Sequence, residues 1–368
     1  MVRERRGVDV NLGDACSARA FEWAVRTVPF RGGRPGAVVP QADGGFANVL
    51  AFGDLRVAIS SDGVGTKAEL AERTGFYDSL GLDLVAMVID DLVAVGSEPV
   101  AVSNILDVNR PDAEIVDRLM RGLHDAARTA RVVVTGGEIA ELGGRVSGWG
   151  ERMHFNWSGT GLGILPAATE PMDGRNVEPG QAVLALRSRG FRCNGFTLVR
   201  EIMGEAFGEA WHVERRADGV GWGEALLTPS LVFAPALRRL AKVGLHPAGI
   251  AHITGGGIPG NLARILRANE LGADLDGLFA PRCVMREIQE IGGVADELAY
   301  RRWNMGNGML VVIDAAKAGQ GLLAIEAAGY EAKRAGTITR EPVISLRPCR
   351  KGASCLAFPA KRVEGRAG

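Results

Sequence analysis

The chain carries no net charge. Its 43 basic and 43 acidic side chains cancel over 368 residues, so the balance excludes a strong pull towards nucleic acid or an anionic membrane surface. No apolar run approaches the roughly 20 residues that a membrane-crossing helix needs. The opening Met1-Val2-Arg3-Glu4-Arg5-Arg6 is charged, and no apolar signal core follows it. Cysteine is scarce: Cys16, Cys193, Cys283, Cys349 and Cys355 form no Cys-x-x-Cys pair and no regular spacing. That argues against structural zinc and disulfides and for a reduced, cytoplasmic setting. His124, His154, His212 and His246 lack metal-ligand spacing, and no Ser-His-Asp set is suggested. The Gly-x-x-x-x-Gly-Lys-Ser/Thr phosphate loop is missing too.

What is present is a globular chain long enough for two domains, with 51 glycines. The first informative stretch is Ser61-Asp62-Gly63-Val64-Gly65-Thr66-Lys67, between an apolar strand, Leu55 to Ile59, and a short helix, Ala68 to Arg73. Glycines at a strand end let backbone amides approach a ligand closely. Those amides with the Thr66 hydroxyl and the Lys67 cation suit a polyphosphate, and the Asp62 carboxylate suits its magnesium. A tight connection between two strands is the plainer reading. Leu82 to Val95 reads as a helix with one buried stripe through Leu82, Val85, Ala86, Ile89, Leu92 and Val93. Asp90 and Asp91 sit beside that stripe. They are either solvent-facing or, in so apolar a helix, met by a cation.

Three further turns have the same character. Thr135-Gly136-Gly137-Glu138-Ile139-Ala140-Glu141 follows a short strand, Arg131 to Val134, which reads as buried. Glu138 and Glu141 either face one site or are solvated acids on a turn. His252-Ile253-Thr254-Gly255-Gly256-Gly257 precedes a helix, and glycine amides at a helix start form an anion site. His252 is a catalytic candidate or a hydrogen-bonded structural residue. In Arg192-Cys193-Asn194-Gly195, Arg192 is a phosphate holder or a surface arginine, and Cys193 reads as a small filler.

Strands also fit Asn48 to Phe52, Pro99 to Leu106, Phe155 to Ile164, Gln181 to Leu186 and Met309 to Ile313. Helices fit Ala18 to Thr27, Pro111 to Thr129, Gly195 to Met203, Leu231 to Val243, Gly260 to Arg267, Val284 to Gly292 and Ala315 to Ala328. Prolines 166, 171 and 179 mark a boundary. We expect an N-terminal domain over 1–165, a C-terminal domain over 175–345 and a basic surface tail over 346–368. Alternating strands and helices predict α/β or α+β layering, with sheets faced by helices.

Taken in order, Asp62-Gly63-Val64-Gly65-Thr66-Lys67, Gly81-Leu82-Asp83-Leu84-Val85-Ala86-Met87 with Asp91, Gly96-Ser97-Glu98-Pro99, Gly136-Gly137-Glu138, Asn194-Gly195, Ala251-His252-Ile253-Thr254-Gly255-Gly256-Gly257 and Asn304-Met305-Gly306 resemble the phosphoribosylformylglycinamidine cyclo-ligase (aminoimidazole ribonucleotide synthetase) family. Gly7-Val8-Asp9 and Gly44-Gly45-Phe46 look like its opening. The resemblance spans roughly Gly7 to Ile338. It implies ATP-dependent closure of formylglycinamidine ribonucleotide to aminoimidazole ribonucleotide, with ADP and phosphate released, in purine biosynthesis. It also implies an N-terminal mixed sheet that pairs across a homodimer, a C-terminal α/β domain, and an active site in the cleft between them. By match, Asp62, Asp91 and Glu138 would hold Mg2+ or position ATP. Gly63, Gly65, Thr66, Lys67, Gly136 and Gly137 would meet the nucleotide. Thr254 to Gly257, with Arg192 and Asn194, would meet the substrate.

The chain leaves the pattern where Asp90 replaces the usual asparagine and where Arg192 stands in place of a histidine. Asn104-Ile105-Leu106-Asp107 and the loop from Leu142 to Arg152 also differ from it. Other members of the superfamily are the alternatives: the hydrogenase-maturation dehydratase, selenophosphate synthetase, thiamine monophosphate kinase and the amidine-forming synthase. A non-catalytic nucleotide-binding paralogue is another. Intact Asp62, Lys67, Asp91 and Glu138 count against that last reading.

Overall fold

The computed structural model describes residues 10–42, 45–350 and 352–360. Gly7-Val8-Asp9, Gly44 and the last residues of the expected tail lie outside them.

The first half folds on six strands: β1 (Ala37–Val38), β2 (Asn48–Phe52), β3 (Leu55–Gly63), β4 (Glu98–Val108), β5 (Val133–Glu141) and β6 (Phe155–Pro166). They lie side by side as β1-β2-β3-β6-β4-β5. All neighbours are antiparallel except β4 and β5. The helices are α1 (Val10–Val25), α2 (Ala68–Thr74), α3 (Leu80–Ala94) and α4 (Ala113–Ala130). A parallel pair needs a crossover, and α4 provides it between β4 and β5. Asp112 fixes where α4 begins, accepting from the amides of Glu114 at 3.1 Å and Ile115 at 3.2 Å.

The second half has α5 (Phe196–Phe207), α6 (Trp222–Leu226), α7 (Ala234–Lys242), α8 (Gly257–Leu266), α9 (Cys283–Ile291), α10 (Asp296–Arg302) and α11 (Ala318–Glu326). Its strands are β7 (Ala182–Arg187), β8 (Gly249–His252), β9 (Gly272–Leu275), β10 (Asn307–Ile313), β11 (Ala332–Thr339), β12 (Val343–Leu346) and β13 (Leu356–Pro359). The sheet runs β13-β12-β9-β11-β7-β10-β8. The fold is α+β, with two mixed sheets and helices packed on them.

Helix α3 joins the two halves. It packs on β3, β6 and α4 of the first half and on β8 and α7 of the second. The sequence predicts one buried stripe; in the structure only Leu82 and Asp91 of this helix escape full burial. The difference arises because the second half covers the side that would otherwise face water. Close approach of α3 to the sheet depends on Gly161 of β6. A Cβ there would lie 2.9 Å from Leu92 Cδ1 and 3.3 Å from the Val88 carbonyl oxygen.

Two expectations change. The stretch from Arg131 to Val134 is not a short buried strand. It leads into β5, an exposed edge strand that runs on to Glu141 through a bulge at Thr135 and Gly136. Val133 and Ile139 are apolar, yet they are 61% and 49% exposed. The expected tail is not wholly surface either: β13 pairs with β12, and Phe358 is buried. Between the sheets, residues 167–181 form no helix or strand but are pinned on both sides. Asp173 accepts from the Ala42 amide at 2.6 Å, and the Asn269 side chain donates to Gly174, Arg175 and Val177 carbonyls.

Candidate functional site

Three of the glycine-bearing turns converge where the halves meet. The turn after β3 lies against the 192–195 turn: a Cβ on Gly65 would sit 3.8 Å from the Cys193 carbonyl oxygen. The 192–195 turn lies in turn against the loop before α8, since a Cβ on Gly255 would sit 3.5 Å from Asn194 Nδ2. Asn261 on α8 ties that loop down, donating to the carbonyls of Gly255 at 3.1 Å and Gly257 at 2.8 Å. Gly257 has φ +61°, and a Cβ there would fall 1.9 Å from the Tyr300 carbonyl oxygen; no other residue fits. Gly255 and Gly256 remain exposed. Asn194 Oδ1 is buried without a hydrogen-bond partner within the protein.

Behind these turns runs a chain of polar contacts. The Ser60 hydroxyl donates to Asp91 Oδ2 at 3.0 Å. His252 Nδ1 lies 2.8 Å from Asp91 Oδ1. Arg192 Nη2 lies 2.8 Å from His252 Nε2 and donates to Asp90 Oδ2 at 2.9 Å. The Phe233 amide closes the chain by donating to Asp90 Oδ1 at 2.8 Å. Asp91 keeps 17% of its side chain accessible, while His252 and Asp90 have none. Burial, helped by the neighbouring Asp91 charge, pushes the Asp62 carboxyl above its ordinary 3.8, against the Gly63 amide and Arg192. A carboxyl held high in this way is one that a cation would relieve.

A crevice of about 900 Å3 lies elsewhere, lined by Arg128, Arg131, Arg239 and Lys242 among others. It shares none of the residues above. Its cations stand at or next to the C-terminal ends of α4 and α7, where helix dipoles favour positive charge.

Residues 44–164 match the AIR synthase related protein N-terminal domain, and residues 178–347 match the corresponding C-terminal domain. A phosphoribosylformylglycinamidine cyclo-ligase from Thermococcus kodakarensis is 32% identical over 342 residues, covering 92% of this chain and 96% of its own. A cyclo-ligase of the same name from Sorangium cellulosum is 34% identical over 333 residues, covering 89% of this chain and 92% of its own. The chain belongs to the phosphoribosylformylglycinamidine cyclo-ligase family. Among solved structures, hydrogenase maturation protein HypE in complex with ATP aligns with a TM-score of 0.59 at 16% identity, covering 85% of this chain and 87% of its own. That likeness concerns the fold alone.

Three of the residues expected from the cyclo-ligase pattern, Glu138, Lys67 and Arg192, are not gathered with Asp62 and Asp91 at the open side of the turns. Glu138 does not join Asp62 and Asp91. Asp62, Gly159, Asn104 and Gly137 form one row across β3, β6, β4 and β5, so Glu138 begins about 14 Å away by strand spacing. It is also the next residue after Gly137, and so projects from the other face of the sheet, as its exposed partner Ile105 does. Among the described residues no three His, Cys, Asp or Glu side chains gather as a metal cage. Glu141 lies on the same exposed edge strand, as do Gly136 and Gly137.

Lys67 is not presented to a ligand. It is fully buried, 2.7 Å from Asp83 Oδ2, and donates to the Thr228 carbonyl at 2.8 Å. Arg192 is likewise 1% exposed and bound to Asp90. Both cations come from turns that read as ligand-facing, and both point inward because a carboxylate on α3 waits there. Cys193 is buried, and burial pushes its thiol well above the ordinary value, as suits a filler. Sequence reasoning missed Ser60 and Asp83 as partners. Their signal was only alternation on β3 and a carboxylate one turn into an apolar helix.

Proposed function

We propose that the chain closes formylglycinamidine ribonucleotide to aminoimidazole ribonucleotide, using ATP and releasing ADP and phosphate, in cytoplasmic purine biosynthesis. The observation that carries this is the near full-length match to cyclo-ligases together with the convergence of the three turns on Asp62, Asp91 and His252. The formyl oxygen is a poor leaving group. Transfer of the γ-phosphoryl group to that oxygen makes it one; the neighbouring nitrogen then attacks the carbon, and the C–O bond breaks with release of phosphate. Such chemistry asks for positioning and charge neutralisation rather than a nucleophilic side chain.

In this reading the Gly65 amide and the Thr66 hydroxyl meet the nucleotide phosphates, while Lys67 supports their turn from beneath. Asp62 and Asp91 would hold Mg2+; two carboxylates suit an ion that keeps water and phosphate oxygens in its shell. Bound there, the ion offsets charge on the phosphates. Thr254, Gly255, Gly256 and Gly257 receive the ribose phosphate, with Asn194 beside them. The exposed β5 and the open sheet face around Ile105 support a homodimer built on this face, which would place Glu138 and Glu141 at the joint rather than in water. A turnover assay with ATP, magnesium and the formylglycinamidine substrate tests the proposal. ADP and aminoimidazole product should appear in equal amounts. ATP hydrolysis without ring formation overturns it.

A further inference from the structure

The chain of contacts behind the site contains two residues with no access to it. Arg192 is 1% exposed and Asp90 is fully buried. Arginine has donors and no acceptor. Its Nη2, 2.8 Å from His252 Nε2, therefore makes that nitrogen an acceptor. The ring proton then sits on Nδ1 and is donated to Asp91 Oδ1, 2.8 Å away. Asp91 thus receives one donor on each oxygen, His252 on Oδ1 and Ser60 on Oδ2. Its plane is fixed, and its remaining lone pairs are left for the site.

Asp90 is what allows a guanidinium in this place. A buried arginine is costly without a paired carboxylate. Asp90 offers Oδ2 to it, while its own Oδ1 is held by the Phe233 amide. Arg192 is further fixed by the Leu231 carbonyl at 3.3 Å and by the Phe233 ring, 5.1 Å from its guanidinium carbon. Its backbone has φ +64°, rare for a side chain of this size, and the turn so formed carries the side chain inward. Asp90 belongs to α3 and Arg192 to the turn before α5, 102 residues apart, so the pair also bridges the two halves.

We propose that Asp90 and Arg192 form a positioning pair: they fix the tautomer of His252 and, through it, the orientation of the Asp91 carboxylate. Neither residue touches the reacting groups. The inference deepens the proposed reaction and rests on it only for its effect on rate.

The test uses the full chain with 15N-labelled histidine, without nucleotide or metal, and a His252→Gln variant to assign the ring signals among the five histidines. In the wild type, Nδ1 should carry the proton and Nε2 should be bare. A proton on Nε2, or on both nitrogens, overturns the inference. Arg192→Met alone strands a buried carboxylate, so the decisive variant is the double Asp90→Leu/Arg192→Met. Apolar replacement of both members of a buried pair is often neutral for stability. With its melting temperature retained, this variant should show mixed tautomers and a kcat lower by about 10- to 100-fold, the usual loss when an outer-shell partner of a metal ligand is removed. Arg192→Lys, which still offers a donor, should recover the single tautomer and part of the rate. Should the double variant fold with wild-type tautomer and rate, the pair serves stability alone and the proposal fails. The nitrogen spectra do not depend on turnover, so a wild type that closes no ring would sink the proposed reaction while leaving this result readable.

Discussion

Removing the Lys67 ammonium would leave Asp83 charged where no water reaches it. Stranding one member of a buried ion pair costs about 3–5 kcal/mol. Lys67→Met should therefore lower the unfolding free energy by roughly that amount in urea titrations. Unchanged stability would mean that the ion pair does not hold the turn. Asp91 behaves differently, because it keeps an accessible edge. Asp91→Asn should retain the fold and lose about 100-fold in kcat/KM, on the scale of removing one preorganised electrostatic group, with a raised magnesium requirement. The same rate across magnesium concentrations would exclude Asp91 as the metal–ATP contact. Residue types near the site were legible in the sequence, but their partners were not. Lys67 and Asp83 come from separate elements, and Asp90 and Arg192 lie 102 residues apart. Nothing in local spacing tells a cation aimed at a phosphate from one aimed at a buried carboxylate. Two of the departures from the family pattern, Asp90 and Arg192, turn out to be one contact.

At the scale of elements, local chemistry foretold much. The spans of α3, of the glycine turn after β3 and of the apolar β7 and β10 lie close to where their sequences put them. Elements with weak signals did not. β9 has four residues, and β11 carries Lys333, Arg334 and Gly336, which break any apolar run. β5 looked buried because its Val and Ile residues imply a core that this chain alone does not provide. The stretch between the halves read only as a break, yet Asp173 clamps it. Burial alone would raise the Asp173 carboxyl, but hydrogen bonds from Arg175 and the Ala42 amide outweigh burial and leave it below its ordinary 3.8. The unfolded chain thus takes up the proton first as pH falls. The stabilisation from this clamp is complete above 3.8 and is lost as pH drops through the depressed native value. Asp173→Asn should flatten that part of the acid-unfolding curve, followed by tryptophan fluorescence; a curve parallel to wild type would contradict the clamp.

For the whole molecule, the open sheet face is an apolar surface without cover. Ile105 and Val133 are 49% and 61% exposed on neighbouring strands, and a long apolar edge invites pairing. Sedimentation should give twice 38.9 kDa, and Ile105→Glu should return the monomer; a wild-type monomer at micromolar concentration would rule out the dimer. The proposed reaction turns on one atom. If ATP activates the formyl oxygen, that oxygen must leave with phosphate. The most direct measurement is turnover of substrate labelled with 18O at the formyl group, with the released phosphate read by mass spectrometry. One labelled oxygen per phosphate, matched by one aminoimidazole ring, is the predicted result. Unlabelled phosphate, or label lost to water, would contradict it.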